Sequence, residues 1–169
     1  MKKVFLTLLL AVFVSSFGQT RLTINQDARL AFYGDDKGNN SYTPNLTFRF
    51  TQFFINNNYF RPLTLVEYEI ADLEGGLYAR MGIGVGFNVP LTKYMEGQFQ
   101  FSSGYINRNG RSYASPEMVG NLSFKITDNV SLLLEGQRTI RNDLKGQPVI
   151  YSGKIGLRIQ IFNKPCFEN

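Results

Sequence analysis

The chain has 169 residues, a formal net charge of +5, no histidine, no tryptophan and one cysteine, Cys166. A single cysteine excludes a disulfide within the chain, and the absence of histidine removes the usual general base for a serine nucleophile. The basic residues are scattered, so they do not form the patch typical of nucleic-acid binding. We therefore predict one domain that is not an enzyme, has no cofactor or metal site and binds no nucleic acid.

The N-terminal segment has the composition of a secretion signal. Two lysines precede an almost wholly apolar run over residues 4–14, and Ser16 and Gly18 provide small side chains for cleavage before Gln19. We therefore predict a signal peptide over residues 1–18. The rest of the chain has no apolar run of the ~18 residues that a transmembrane helix needs. Any residence in a membrane must therefore come from strands.

Apolar and polar residues alternate in eight segments, which are separated by residues typical of turns. The predicted strands are residues 21–32, 46–56, 63–73, 77–89, 95–105, 113–126, 130–140 and 149–162. The last is longer than the five or six residues usual in a soluble sheet, and it exceeds the ~9–11 residues of a strand that crosses a bilayer. No helix is expected between the strands, so hairpins connect them. Lipid offers no hydrogen-bond partners, so every backbone N–H and C=O group must pair within the protein. The first and last strands should therefore pair and close a barrel.

Alternation alone does not say which face of the barrel points inward. A soluble lipocalin-like barrel has its apolar face inside, around a ligand, whereas a membrane barrel has it outside. The polar faces carry small residues and nearly balanced charges, as a packed polar lumen requires. Aromatic residues gather near both ends of the strands, and long loops alternate with short turns. These three features favour the membrane barrel.

The inward polar face predicts an ion-pair network in the lumen. Its members are Arg29, Arg49, Glu67, Glu69, Arg80, Glu96, Glu117, Lys125, Glu135, Lys154 and Arg158. Arg80 should lie at its centre, between Glu67 or Glu69 on one neighbouring strand and Glu96 on the other. Arg21 is expected at an exposed mouth of the barrel, where its loss should change stability little. The glycines of the Gly82–Gly86 stretch should make room for large inward side chains.

With these patterns, residues 19–162 resemble the small eight-stranded outer-membrane barrels of the OmpA/OmpX type. The last strand looks like the signal that the outer-membrane assembly machinery recognises, carried here by Leu157, Ile159, Ile161 and Phe162. Phe162 is out of phase with Ile161, and a short periplasmic tail, residues 163–169, follows the barrel. The resemblance implies an antiparallel up-and-down transmembrane β-barrel in a Gram-negative outer membrane, in contact with lipid and lipopolysaccharide.

Three functions fit this prediction. The first is a structural or surface-interaction role through extracellular loops, with an unknown surface partner and with a lumen filled by polar and charged side chains. Cations that could meet lipopolysaccharide phosphates from these loops are Lys37, Arg108, Arg111, Arg141 and Lys145. The second is a narrow channel for ions or very small solutes. The third is the soluble ligand-binding barrel.

Overall fold

A computed structural model describes residues 19–35, 38–54, 59–74, 76–108, 110–144 and 149–163. The predicted signal peptide, Lys37, Lys145 and residues 164–169 of the predicted tail, which include Cys166, lie outside these ranges. Within them, no helix has both the length and the apolar character that crossing a membrane requires.

The structure is a closed barrel of eight antiparallel strands, in which each strand pairs with the next and β1 pairs with β8. The elements are β1 Gln19–Asp27, α1 Ala28–Phe32, β2 Asn45–Phe53, β3 Arg61–Leu73, β4 Gly76–Pro90, β5 Met95–Arg108, β6 Arg111–Lys125, β7 Val130–Ile140 and β8 Val149–Asn163. The predicted fold class and the predicted pairing of the first and last strands are confirmed.

The first strand is shorter than predicted, because the chain turns into the short helix α1 after Asp27. The Asp27 carboxylate accepts a hydrogen bond from the Leu30 amide at 3.1 Å, which caps the helix, and the Leu30 side chain is buried. Ala28, Leu30 and Phe32 alternate with polar or small residues, so their spacing resembles that of a strand. The expectation of a chain without helix is therefore wrong at this point.

The polar face of the sheet points inward and the apolar face outward. Arg49, Glu67 and Arg80 are each 1% exposed, whereas Ile83 is 67% and Phe50 is 52% exposed. This is the reverse of a soluble protein, in which burial removes apolar surface from water. The alternation along each strand therefore separates a charged interior from an apolar exterior.

The two ends of the barrel differ in their connections. At the end that holds both Gln19 and Asn163, here called the terminal end, the connections are residues 54–60, 91–94 and 126–129. At the opposite end, here called the loop end, they are residues 28–44, 74–75, 109–110 and 141–148. Two of the loop-end connections are only two residues long, and the longest contains α1. Exposed aromatic residues border both ends, among them Tyr33, Tyr42, Tyr105 and Tyr151 at one and Tyr59, Phe60, Tyr94 and Phe162 at the other.

A register shift resolves the phase problem at the end of β8. Thr20 is opposite Phe162 and Arg21 is opposite Gln160, so Ile161 is the extra residue of a bulge. Ile161 and Phe162 are both exposed, at 41% and 49%. The closing aromatic residue therefore lies on the outer face with the other apolar side chains of the strand.

Candidate functional site: the barrel lumen

Arg49 on β2 occupies the middle of the lumen and binds carboxylates from three other strands. Its guanidinium makes a two-point contact with Glu135 on β7, at 2.6 and 3.2 Å, and Nε donates to Glu67 on β3 at 3.1 Å. Glu117 on β6 lies 3.8 Å from Nη2. Bidentate pairs of this kind are the strongest that arginine makes, and here they join strands that are not neighbours in the sheet.

Arg80 on β4 extends the same cluster. Its Nη1 contacts Glu67 and also lies 3.0 Å from Glu117 Oε2, while Nε and Nη2 donate to the hydroxyls of Ser115 and Ser102 at 3.2 and 2.9 Å. The predicted pair with Glu67 is present, but the predicted pair with Glu96 is wrong. Arg80 is opposite Ile106 across the β4–β5 ladder, whereas Glu96 is opposite Pro90, so Glu96 lies nearer the terminal end.

The central cluster contains two guanidiniums and three carboxylates, and neutral donors supply further hydrogen bonds. Gln137 Nε2 donates to Glu117 at 2.6 Å, and the Ser102 hydroxyl donates to Glu67 at 2.5 Å. All five ionic side chains are at most 1% exposed. Each of the five charges lies in ion-pair range of at least one opposite charge, as burial requires, because an unpaired buried charge costs several kcal/mol. The carboxylates outnumber the guanidiniums by one, and among the described residues Glu117 Oε1 accepts no hydrogen bond.

Gly82 makes room for this cluster. A Cβ atom at Gly82 would lie 3.0 Å from Glu67 Oε1 and 3.3 Å from Arg80 Nη2. A side chain at this position would therefore crowd the Arg80–Glu67 pair, whose end groups would have to shift by a few tenths of an ångström. At Gly84 the nearest atom to such a Cβ is instead a backbone oxygen, that of Phe101, at 2.4 Å. There the glycine permits close approach of the neighbouring strand.

A second group of charges lies at the loop end of the lumen. Lys154 Nζ lies 3.1 Å from Glu69 and donates to Thr47 at 2.6 Å. Arg141 packs over the Tyr78 ring at 4.2 Å and binds both oxygens of Asp143 at 2.7 Å.

Asp143 lies in the connection between β7 and β8 and holds two arginines. Burial alone would raise the pKa of its carboxyl, but the hydrogen bonds and charge of Arg141, with a further bond from Arg108, bring that pKa below its usual range. Arg108 also donates to the Glu74 carbonyl at 3.0 Å. Arg108 and Arg141 are therefore engaged within the protein. Of the predicted loop contacts in the described residues, Arg111 is the exposed one.

A third group surrounds Glu96 at the terminal end. Arg21 contacts its carboxylate at 2.5 Å, Arg61 at 3.3 Å and Arg158 at 3.9 Å. Asn88 Nδ2 donates to it at 3.2 Å. Arg21 is only 8% exposed, so the expectation that it lies in water at the mouth is wrong.

Two residues of the predicted network lie at the two ends of the barrel and outside the three buried groups of charges. Arg29 is on α1, with its side chain 47% exposed and 3.9 Å from Asp35. The ammonium group of Lys125 is at the end of β6 and pairs with the exposed Asp128 at 2.7 Å. Conversely, the predicted network does not include Arg21 and Arg61. The alternation does place Arg21 inward, since it shares its face with Thr23 and Asn25. Arg61 precedes a proline and lies between two predicted strands, so the pattern gives no face for it.

Comparison with known proteins agrees with this architecture. No family model and no curated protein matches the chain. A structure reported as the de novo design of transmembrane β-barrels superposes with a TM-score of 0.57 at 12% identity, over 86% of this chain and 97% of that one. The outer membrane protein Ail of Yersinia pestis, in a phospholipid bilayer nanodisc, gives 0.57 at 12% identity, over 85% and 99%. Ail in complex with the heparin analogue sucrose octasulfate gives 0.50 at 12% identity, over 84% and 95%. The chain therefore has the fold of the small eight-stranded outer-membrane barrels.

Proposed function

We propose that this protein is an integral barrel of a Gram-negative outer membrane, that its loop end faces outward for contact with other molecules, and that its lumen is closed and non-catalytic. The observation that carries the proposal is the separation of faces, in which an ion-paired interior lies behind an apolar exterior. Only a surrounding of lipid makes exposure of residues such as Ile83 and Met81 favourable along a whole strand.

The direction of insertion follows from the connections. In outer-membrane barrels the short turns face the periplasm and the longer loops face outward. Here the terminal end has three modest turns, and the loop end has the two longest connections. The loop end is therefore the end that we assign to the cell surface.

Closure of the lumen is supported by the cluster around Arg49 and Arg80. An eight-stranded barrel is just wide enough for its own side chains to fill. Carboxylates from β3, β6 and β7 converge on guanidiniums from β2 and β4, and the serines and Gln137 bind to the same groups. A path for ions through this level would require several pairs to separate together.

Contact with other molecules at the cell surface depends on the exposed residues of the loop end. Arg111 is an exposed cation there, suited to the phosphate groups of lipopolysaccharide. Binding of purified barrel in non-ionic detergent to lipopolysaccharide, with and without its phosphates, tests this contact. We expect Arg111→Gln to weaken binding to the phosphorylated form alone, whereas equal binding of both forms by both proteins would contradict it.

Membrane residence is tested by fractionation. The full chain should remain with the outer-membrane fraction after carbonate washing and be released only by detergent. In detergent it should migrate as a compact band without heating and as an extended band after heating. Release into the soluble fraction without detergent would instead support a soluble ligand-binding barrel.

Conductance across a planar bilayer distinguishes the closed lumen from the alternative function, a narrow channel. We expect the folded protein to give no discrete current steps above the baseline. The double variant Arg49→Ser/Glu135→Ser removes both members of a central pair, and we expect it to conduct. Regular steps from the unaltered protein would favour the channel.

A further inference from the structure

A cavity of about 320 Å³ opens at the terminal end of the barrel, and cations dominate its wall. The charged residues that line it are Arg21, Arg61, Lys93, Lys125 and Arg158, with Glu96 and Asp128. Among these described residues there are three more positive than negative charges. The central cluster of the lumen is different, since its carboxylates outnumber its guanidiniums.

The surplus of positive charge in the cavity wall remains after the ion pairs among these residues are assigned. Lys125 and Asp128 offset each other through their contact at 2.7 Å. Glu96 is then the one carboxylate facing three guanidiniums. Its two oxygens already accept from Arg21 twice, from Arg61 and from Asn88. A carboxylate has about four lone-pair sites, so Glu96 has no further acceptor capacity.

Arg158 is the guanidinium of the cavity wall that lacks a hydrogen bond to a carboxylate among the described residues. It is 4% exposed, and its Nη1 and Nη2 donate to neutral oxygens, those of Ser123 and Asn121, both at 2.9 Å. Its distance of 3.9 Å from Glu96 is outside hydrogen-bond range. This guanidinium is therefore buried at the wall of the cavity with neutral hydrogen-bond acceptors, and an anion in the cavity would supply the charged acceptor that Glu96 does not.

We propose that this cavity is a binding site for a small oxyanion, a phosphate or a carboxylate carried on an organic solute, with Arg158, Arg61 and Arg21 as the binding groups. Planar guanidiniums are suited to both oxyanions, because their parallel N–H groups match two oxygens at once. The volume is at the lower end of the ~300–1,000 Å³ of ligand pockets. It therefore has room for more than a bare phosphate but not for a large glycan.

The site does not depend on the function proposed above. Its residues belong to the barrel wall, and the test uses the purified full chain in a non-ionic detergent, where no membrane orientation is involved. In a cell, the orientation proposed above would open the cavity to the periplasm.

The experiment is thermal unfolding of the detergent-solubilised protein with increasing phosphate, malonate or chloride at constant ionic strength. A ligand that binds only the folded state raises the unfolding temperature in a saturable way. We expect phosphate or malonate to do so and chloride not to, and the stronger of the two identifies the oxyanion class. Equal effects of all three salts would overturn the proposal.

Two variants and a control make the test specific. Arg61→Gln should weaken the apparent affinity roughly tenfold or more, because a charged hydrogen-bond donor is lost. Glu96→Gln removes the competing negative charge, so it should strengthen anion binding even if it lowers the unfolding temperature without ligand. Arg138→Gln, which alters a cation on the outer face, should leave the affinity unchanged. Weaker anion binding by Glu96→Gln, or an unaltered affinity in Arg61→Gln, would refute the site.

Discussion

Arg49 and Glu135 are 86 residues apart in the chain, and they meet inside the barrel as a two-point ion pair at 2.6 and 3.2 Å. Their strands, β2 and β7, are separated in the sheet by β1 and β8. The pair therefore joins walls of the barrel that no backbone hydrogen bond joins. Because Arg49 also binds Glu67, one side chain connects three separate strands.

Replacing Arg49 by Met should destabilise the barrel strongly. The change leaves Glu135, Glu67 and Glu117 with Arg80 as their remaining central cation, and breaking a buried pair in this way costs about 3–5 kcal/mol. Urea unfolding of the refolded protein in detergent micelles, followed by circular dichroism, measures the loss. The double variant Arg49→Met/Glu135→Leu should lose less than the sum of its single variants, by about 0.5–3 kcal/mol.

The matched control is Arg138→Met, which removes the same charge from the outer face. Arg138 is in register with Met118 and Tyr151, both of which are exposed. Its loss should change the free energy of unfolding by less than about 0.5 kcal/mol. If Arg49→Met and Arg138→Met caused equal losses, the inward charges would not form a packed network.

Two strand glycines should respond in opposite ways to alanine. At Gly104 a Cβ atom would lie 2.2 Å from the Met81 carbonyl oxygen, whereas at Gly120 no atom of the described residues, apart from its two chain neighbours, would lie within 4 Å. Gly104→Ala should therefore cost about 1–3 kcal/mol through overpacking. Gly120→Ala should be neutral or stabilise by about 0.4–1 kcal/mol, because it restricts the unfolded chain. The midpoints of urea unfolding decide, and equal midpoints would contradict the close strand contact at Gly104.

The fold could be predicted because the period of two is written into every strand. Residues such as Met81, Ile83 and Val85 alternate with the glycines of β4, and no tertiary information is needed to assign their common face. Which face points inward is harder to predict, because alternation is the same in both cases. The balance of Glu and Arg on the polar face indicates that this face lines the lumen. The prediction from alternation is wrong after Asp27, because the five residues of α1 have apolar side chains at the spacing of a strand.

The partners of the charges could be predicted less well. Sequence gives the face of Arg80, but its height in the barrel relative to Glu96 depends on the strand register. Arg80 therefore pairs with Glu117, from a strand that is two positions away in the sheet. Contacts across the lumen, such as that of Arg49 with Glu135, depend on the closed shape of the barrel and have no local sequence signal.

Acid should release the anchor of the connection between β7 and β8. The pKa of Asp143 is lowered in the folded protein despite its burial, because Arg141 and Arg108 bind its charged form. A depressed pKa contributes stability above the ordinary Asp value of about 3.9, and this stability is lost as the pH falls through the lower folded value. The difference in unfolding free energy between the protein and Asp143→Asn should therefore be constant above about pH 5 and shrink below pH 4.

The comparison with Asp143→Asn is needed because carboxylates of the lumen also titrate in acid. Their contribution is common to both proteins and cancels in the difference. Asp128→Asn is the exposed counterpart, since Asp128 pairs with Lys125 in water, and it should show little difference at any pH. A difference for Asp143→Asn that persists unchanged to pH 2 would mean that the carboxylate charge does not hold Arg141.

Single tryptophans should report the depth of the apolar exterior, because the chain contains none of its own. Phe101 is in the middle of β5 and 46% exposed, and Tyr94 immediately precedes the strand and is 61% exposed. Seven residues at about 3.4 Å each separate them by roughly 24 Å along the strand. With a hydrocarbon core about 30 Å thick, a central Phe101 leaves Tyr94 near the interface.

In vesicles of lipid brominated at mid-chain, Phe101→Trp fluorescence should be quenched strongly and Tyr94→Trp fluorescence weakly. Weak quenching of both would mean that the apolar face is not in lipid, whereas equally strong quenching would place the terminal end inside the bilayer.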